Sequence, residues 1–222
     1  MWISDVWVRR LNFLALLLLT FLTPFLLLGL SGLFANVPPM NDVLLYGYWL
    51  QQIELGEPIL GLSQDFVYPY PSLLPMWLAK ALGGQAGILV GWTTLIALLN
   101  SLSLGVLTSW GRGGRLVMLA GAFWVSFLLL LGPAGIGRID AVAAAVSLFG
   151  LAALARERIG LAVVLFTFGA WIKIWPFAIA LSVYVAEKRK QIVTISALGV
   201  IAAAVIFAVA AGANSSLFSF IF

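Results

Sequence analysis

The stretch IGLAVVLFTFGAWIKIWPFAIALSVYVA, residues 159–186, decides the architecture. Its first apolar run, 159–172, predicts a helix of roughly 21 Å, and its second, 175–186, one of roughly 18 Å. Both fall short of a hydrocarbon core of about 30 Å. Between them stands Lys173, flanked by Trp171 and Trp175 and followed by Pro176. The proline forbids one continuous helix. Broken helices at membrane depth occur where they line a cavity or are buried in protein, and tryptophan favours the interface. The stretch therefore reads as two helices turning back beneath one membrane surface, with a cavity above them and a lysine at the turn.

Working outward, the composition is that of a polytopic membrane protein. Hydrophobic residues make up 63% of the chain, charged residues 9%, and the mean hydropathy is +1.12. A soluble domain carries far more charge. Cysteine and histidine are both absent, which excludes disulfides, thiol nucleophiles, thiolate or imidazole metal sites and a histidine base. Any catalysis must rest on carboxylates, Lys, Arg, Tyr or backbone. Five further apolar segments are expected, at about 11–34, 85–108, 116–131, 139–154 and 191–211, and with 159–172 and 175–186 counted separately they make seven. The first, roughly 36 Å long, is too long for a signal peptide and lacks a small-x-small cleavage site. The expectation is one all-α transmembrane domain over 1–222, with about seven membrane segments and a first extracytoplasmic loop over 35–74.

Basic residues set the orientation. With the N-terminus in the cytoplasm, Arg9, Arg10, Arg112, Arg115, Arg156, Arg158, Lys188, Arg189 and Lys190 face inward, nine of twelve basic residues. This obeys the positive-inside rule. Lys80, Arg138 and Lys173 then lie outside, as do Asp42, Glu54, Glu57, Asp65 and Asp140. The net charge of +4 is thus a topology signal rather than a nucleic-acid footprint.

The first outer loop has its own organisation. Residues 42–55 predict a helix along the membrane, with Leu45, Trp49 and Ile53 as its apolar stripe and Tyr46 and Leu50 beside it. Gly56 and Pro58 signal its stop. The run Phe66-Val67-Tyr68-Pro69-Tyr70-Pro71 makes a rigid aromatic–proline passage back into the bilayer.

Three places carry chemistry. Asp42, on the outer face, can take a proton from a sugar hydroxyl; it can equally serve as a helix N-cap, a task open to Asn41 as well. Arg138 and Asp140 open the fourth segment. They read as an anion site with an orienting acid, or as a snorkelling arginine beside a carboxylate that complements a helix dipole. Lys173 reads as a phosphate ligand or as a lysine snorkelling to phospholipid. A basic side chain in such a break is costly unless it holds something negative.

The order of these features resembles bacterial GT-C glycosyltransferases that use polyprenyl-phosphate sugars, above all the polyprenyl-phosphomannose-dependent mannosyltransferases. Residues 41–79 look like their first outer loop, Gly137–Asp140 like their Gly-Gln-x-Asn element, and Gly169–Pro176 like their small-residue, Lys-x-x-Pro element. Arg138 and Asp140 stand where Gln and Asn are typical, and Tyr-Pro-Tyr-Pro replaces Tyr-Pro-Pro. Members continue for several more helices, so the chain looks like the N-terminal half of such an enzyme: a fragment, a split subunit or a relative without catalysis.

The resemblance implies a seven-helix GT-C module with Asp42 as base and the donor phosphate near Lys173 and Arg138. Asp140, Tyr68, Tyr70 and Trp175 are the expected orienting or substrate-binding residues. The expected activity is inverting transfer of a sugar, mannose foremost, from a polyprenyl-phosphate donor to an outer-face acceptor, in the bacterial plasma membrane. No cofactor or metal is expected, since such a donor is not a nucleoside diphosphate and the loop lacks an Asp-x-Asp pair. Expected partners are the donor, membrane lipids and a chain supplying further helices, with no nucleic acid. Two alternatives stand beside this: a non-catalytic subunit or scaffold of a larger complex, and a lipid-linked sugar transporter.

Overall fold

The computed structural model describes residues 2–33, 40–55, 67–110 and 115–210, and among them every regular element is a helix. In chain order these are α1 (Trp2–Ser31), α2 (Asn41–Glu54), α3 (Leu73–Gly83), α4 (Ile88–Trp110), α5 (Arg115–Gly137), α6 (Asp140–Ala155), α7 (Ile159–Ile172), α8 (Pro176–Ala186) and α9 (Lys190–Ala210). Stretches in α1, α4, α5 and α9 are long and apolar enough to cross a membrane: Arg10–Ser31, Ile88–Thr108, Met118–Gly137 and Lys190–Val209. Helices α6, α7 and α8 are apolar but shorter.

The protein is an all-α integral membrane protein. Leu11, Leu14, Leu18, Leu22 and Leu26 stand exposed along α1, a face suited to acyl chains. Several hydroxyls on the spans bond within their own helices. Thr20 donates to the Leu16 carbonyl at 2.7 Å, Thr93 to Leu89 at 2.8 Å and Ser101 to Ala97 at 2.8 Å. Such pairing matters where no water can substitute.

Helix α4 is the hub, packed by α1, α2, α3, α5 and α6. Helix α3, a stretch to which the sequence assigns no element, folds back on α4. It buries Leu73, Met76 and Ala79. Gly91 permits the approach, because a Cβ there would run into the Ala79 carbonyl oxygen. Small residues let membrane helices come this close. Lys80 bridges to Glu54 at 2.6 Å, tying α3 to the end of α2. With both partners about half exposed, this pair contributes at most about 1 kcal/mol.

Helix α2 forms where expected, but its packed face is turned. Val43, Tyr46, Trp49 and Leu50 are buried, while Leu45 is exposed. Contact with α4 selects this face: a Cβ on Gly47 would lie 3.0 Å from Ile88. Met40, not Asn41 or Asp42, occupies the N-cap position. Asp42 falls in the first turn instead, where a carboxylate complements the helix dipole.

The expected break over 132–138 is a kink. Gly132 adopts φ 62° and ψ −159°, a conformation suited to glycine alone, and helical geometry resumes at Pro133 up to Gly137. Proline is favoured at a helix start, where its missing N–H costs nothing. The Gly56–Pro58 stop, Glu57, Asp65 and Phe66 lie outside the described residues.

Candidate active site

Helix α7 ends at Lys173, which takes an extended conformation (φ −150°, ψ 136°) while its N–H still donates to the Gly169 carbonyl at 2.9 Å. Pro176 then opens α8 as its first residue. Gly169 leaves room for this turn, since a Cβ there would meet Pro176 at 3.3 Å.

The Lys173 side chain has two partners. Its Nζ lies 3.6 Å from Asp140 Oδ2 and 5.1 Å from the centroid of the Tyr68 ring. The first distance is too long for a good hydrogen bond, and an ammonium carries three donors. Lys173 is therefore held by charge and ring face while its protons remain available.

Behind this group is an aromatic cluster. Tyr46 is fully buried, with ring centroids 6.0 Å from Trp49, 6.2 Å from Tyr68 and 4.9 Å from Trp92. Its phenol oxygen accepts the Ile139 N–H at 3.1 Å. Trp92 Nε1–H donates to the Ile136 carbonyl at 2.8 Å. These two bonds satisfy backbone groups that the end of α5 and the start of α6 leave free. They pin the α5–α6 corner that carries Arg138 and Asp140. Burial first, then the neighbouring Tyr68 and Asp42, push the Tyr46 phenol above its ordinary value, so it keeps its proton.

From Lys173 a groove of about 910 Å³ runs between α7, α8 and α9. Tyr68, Pro69 and Lys173 line one end, and Tyr184 and Thr194 the other. Its walls are apolar, with Val163, Phe177, Leu181, Leu198 and Ile201 among them. Helix α8 gives it a length of roughly 16 Å.

The other candidates are placed as follows. Asp42 is half-buried one turn before Tyr46, and its carboxylate accepts no hydrogen bond among the described residues. Arg138 is exposed and pairs with no acid among the described residues. Tyr70 is buried in the core beside the groove, and burial pushes its phenol up to about 12. Trp175 is exposed and does not line the groove, whereas Trp171 does. Sequence reasoning did not place Tyr46 or Trp92 at the site. An aromatic on a packed helix face carries no mark of the backbone group it will meet.

No group of three or more acidic side chains among the described residues could hold a metal ion. A family model for glycosyltransferase family 87 matches residues 66–221. The chain belongs to glycosyltransferase family 87. As a member, it is a membrane glycosyltransferase. The matched stretch contains Tyr68, Arg138, Asp140, Lys173 and the whole groove; Asp42 and Tyr46 precede it. Among curated proteins and among solved structures, no match was found.

Proposed function

We propose that this family 87 glycosyltransferase takes mannose from a polyprenyl-phosphate donor whose phosphate sits at Lys173 and whose chain lies along the groove. One observation carries the reading. An apolar groove of 910 Å³ ends at a lysine with unused hydrogen-bond donors. That pairing of a long apolar wall with one cation matches an amphiphile with an anionic head. Tyr68 and Asp140 fix the lysine at the mouth, and Arg138 supplies a second cation at the same corner.

In this account Asp42 removes the proton from the acceptor hydroxyl. The oxygen attacks the anomeric carbon from the face opposite the phosphate, and the carbon–oxygen bond to phosphate breaks with inversion. The leaving group departs as an anion, so it needs charge stabilisation more than an acid; Lys173 provides this. The positive-inside pattern supports a reaction on the extracytoplasmic side. A partner chain completing the acceptor side fits the same scheme.

The test is sugar transfer from polyprenyl-phosphomannose to endogenous acceptors in membrane vesicles. General-base catalysis contributes about 10²–10⁴-fold, so Asp42→Asn is expected to lose that much turnover with donor binding retained. Parental turnover in Asp42→Asn would remove the base role.

A further inference from the structure

We infer that Tyr46 is a positioning residue for the donor phosphate: one buried side chain braces both neighbours of the Lys173 ammonium, one through its hydroxyl and the other through its ring. This rests on the donor reading above. Lys173 is set between the Asp140 carboxylate at 3.6 Å and the Tyr68 ring at 5.1 Å. Tyr46 reaches both. Its oxygen accepts from the N–H of Ile139, the residue before Asp140, at 3.1 Å. Its ring meets that of Tyr68 edge-on, at 74° with centroids 6.2 Å apart.

The connections form a closed path: Ile139 to Tyr46, Tyr46 to Tyr68, Tyr68 to Lys173, Lys173 to Asp140, and Asp140 back to Ile139 along the chain. Each link joins a different part of the molecule. Helix α2 contributes Tyr46, the segment before α3 contributes Tyr68, the α5–α6 corner contributes Ile139 and Asp140, and the α7–α8 turn contributes Lys173.

Lysine is otherwise a flexible point charge on a long stem. Holding it at one place before the ligand arrives removes an ordering cost from binding. Tyr46 is fully buried and touches neither the groove nor Lys173 directly. It acts through Tyr68 and the α6 N-terminus.

The experiment compares farnesyl phosphate with farnesol as ligands of the full chain in lipid nanodiscs. The ratio of their affinities isolates the contribution of the head group, because the chain is common to both. The parent protein is expected to prefer the phosphate, and Lys173→Gln to lose that preference. Tyr46→Phe is expected to cut it by about 3- to 10-fold with farnesol affinity unchanged, and Tyr68→Leu by about 2- to 30-fold. Tyr68→Phe, which keeps the ring, is expected to retain most of what Tyr68→Leu loses. Leu104→Ala, at a fully buried residue of α4 packed against Gly121 of α5 and outside the groove lining, is the folding control: a lower Tm, with the preference intact.

A preference lost in Lys173→Gln but unchanged in Tyr46→Phe overturns the positioning role alone. So does an equal fall in affinity for both ligands in Tyr46→Phe, which marks a purely structural tyrosine. A parent without phosphate preference, or a preference that survives Lys173→Gln, overturns the donor reading and this inference with it.

Discussion

A lysine rests over a tyrosine ring at each end of the groove's supporting helices, and the two differ in what else they hold. Lys173 lies 5.1 Å from the Tyr68 centroid, and Lys190 lies 4.7 Å from that of Tyr184. The Lys190 ammonium also donates to the carbonyls of Tyr184 and of Val185, the latter at 3.0 Å. Those carbonyls belong to the last turn of α8, where a cation satisfies free acceptors and complements the dipole. Lys173 has no carbonyl ligand among the described residues, only a carboxylate at 3.6 Å. The same pair of side chains thus closes a helix at one end and leaves donors free at the other. What separates a structural cation from a binding cation here is saturation of the ammonium, not charge, burial or an aromatic neighbour.

The sharpest way to break this comparison is to neutralise each lysine in turn. A charge-assisted hydrogen bond contributes roughly 1.5–3 kcal/mol, which is about 10- to 150-fold in affinity. Lys173→Gln is expected to weaken prenyl-phosphate binding by that factor, measured by native mass spectrometry. Lys190→Gln is expected to leave binding unchanged and to lower thermal stability slightly. Equal losses from both variants would erase the distinction.

A smaller effect is expected at Arg138. It is exposed and forms no ion pair among the described residues, so its attraction to a phosphate is screened by solvent. Arg138→Gln is expected to weaken the same ligand less than Lys173→Gln, and the difference is expected to shrink as salt rises. A larger loss than Lys173→Gln would move the head group to the α5–α6 corner.

The smallest effect lies at the Lys190 end. The Arg189 backbone N–H, at 2.9 Å, and its guanidinium, at 3.2 Å, hold the Glu187 carboxyl below its ordinary value of 4.5. A depressed folded-state value means that the stabilisation is present above pH 4.5 and fades as pH falls through the lower value. Glu187→Gln is expected to flatten that acid-side slope in a thermal-melt series, while phosphate binding at Lys173 stays unchanged. A slope identical to the parent's would remove Glu187 from the turn's stability.

Much of the architecture was legible because it depends on local signals. Length, apolarity and the Lys173–Pro176 break define α7 and α8 almost to the residue. The kink in α5 and a loop carry the same sequence signal, since Gly132 and Pro133 punctuate both. Periodicity alone sets the packed face of α2 about one residue off, because contact with α4 selects it. Tyr46 and Trp92 remained hidden as site residues for a related reason. Their partners are backbone groups 93 and 44 residues away, freed only by where α5 ends and α6 begins. The Lys173–Asp140 pair likewise depends on α6 packing against α7. Side-chain type marked both residues as candidates, but only tertiary packing joins them.

In the proposed binding mode the groove takes an apolar chain with its phosphate at Lys173. The most direct measurement is a cryo-EM structure of the protein with farnesyl phosphate, enlarged by a bound antibody fragment. The account predicts phosphate density within hydrogen-bonding distance of Lys173 Nζ and a chain running between α7, α8 and α9 toward Tyr184. Phosphate density at Lys190, or a chain lying outside the groove with Lys173 still paired to Asp140, would contradict it.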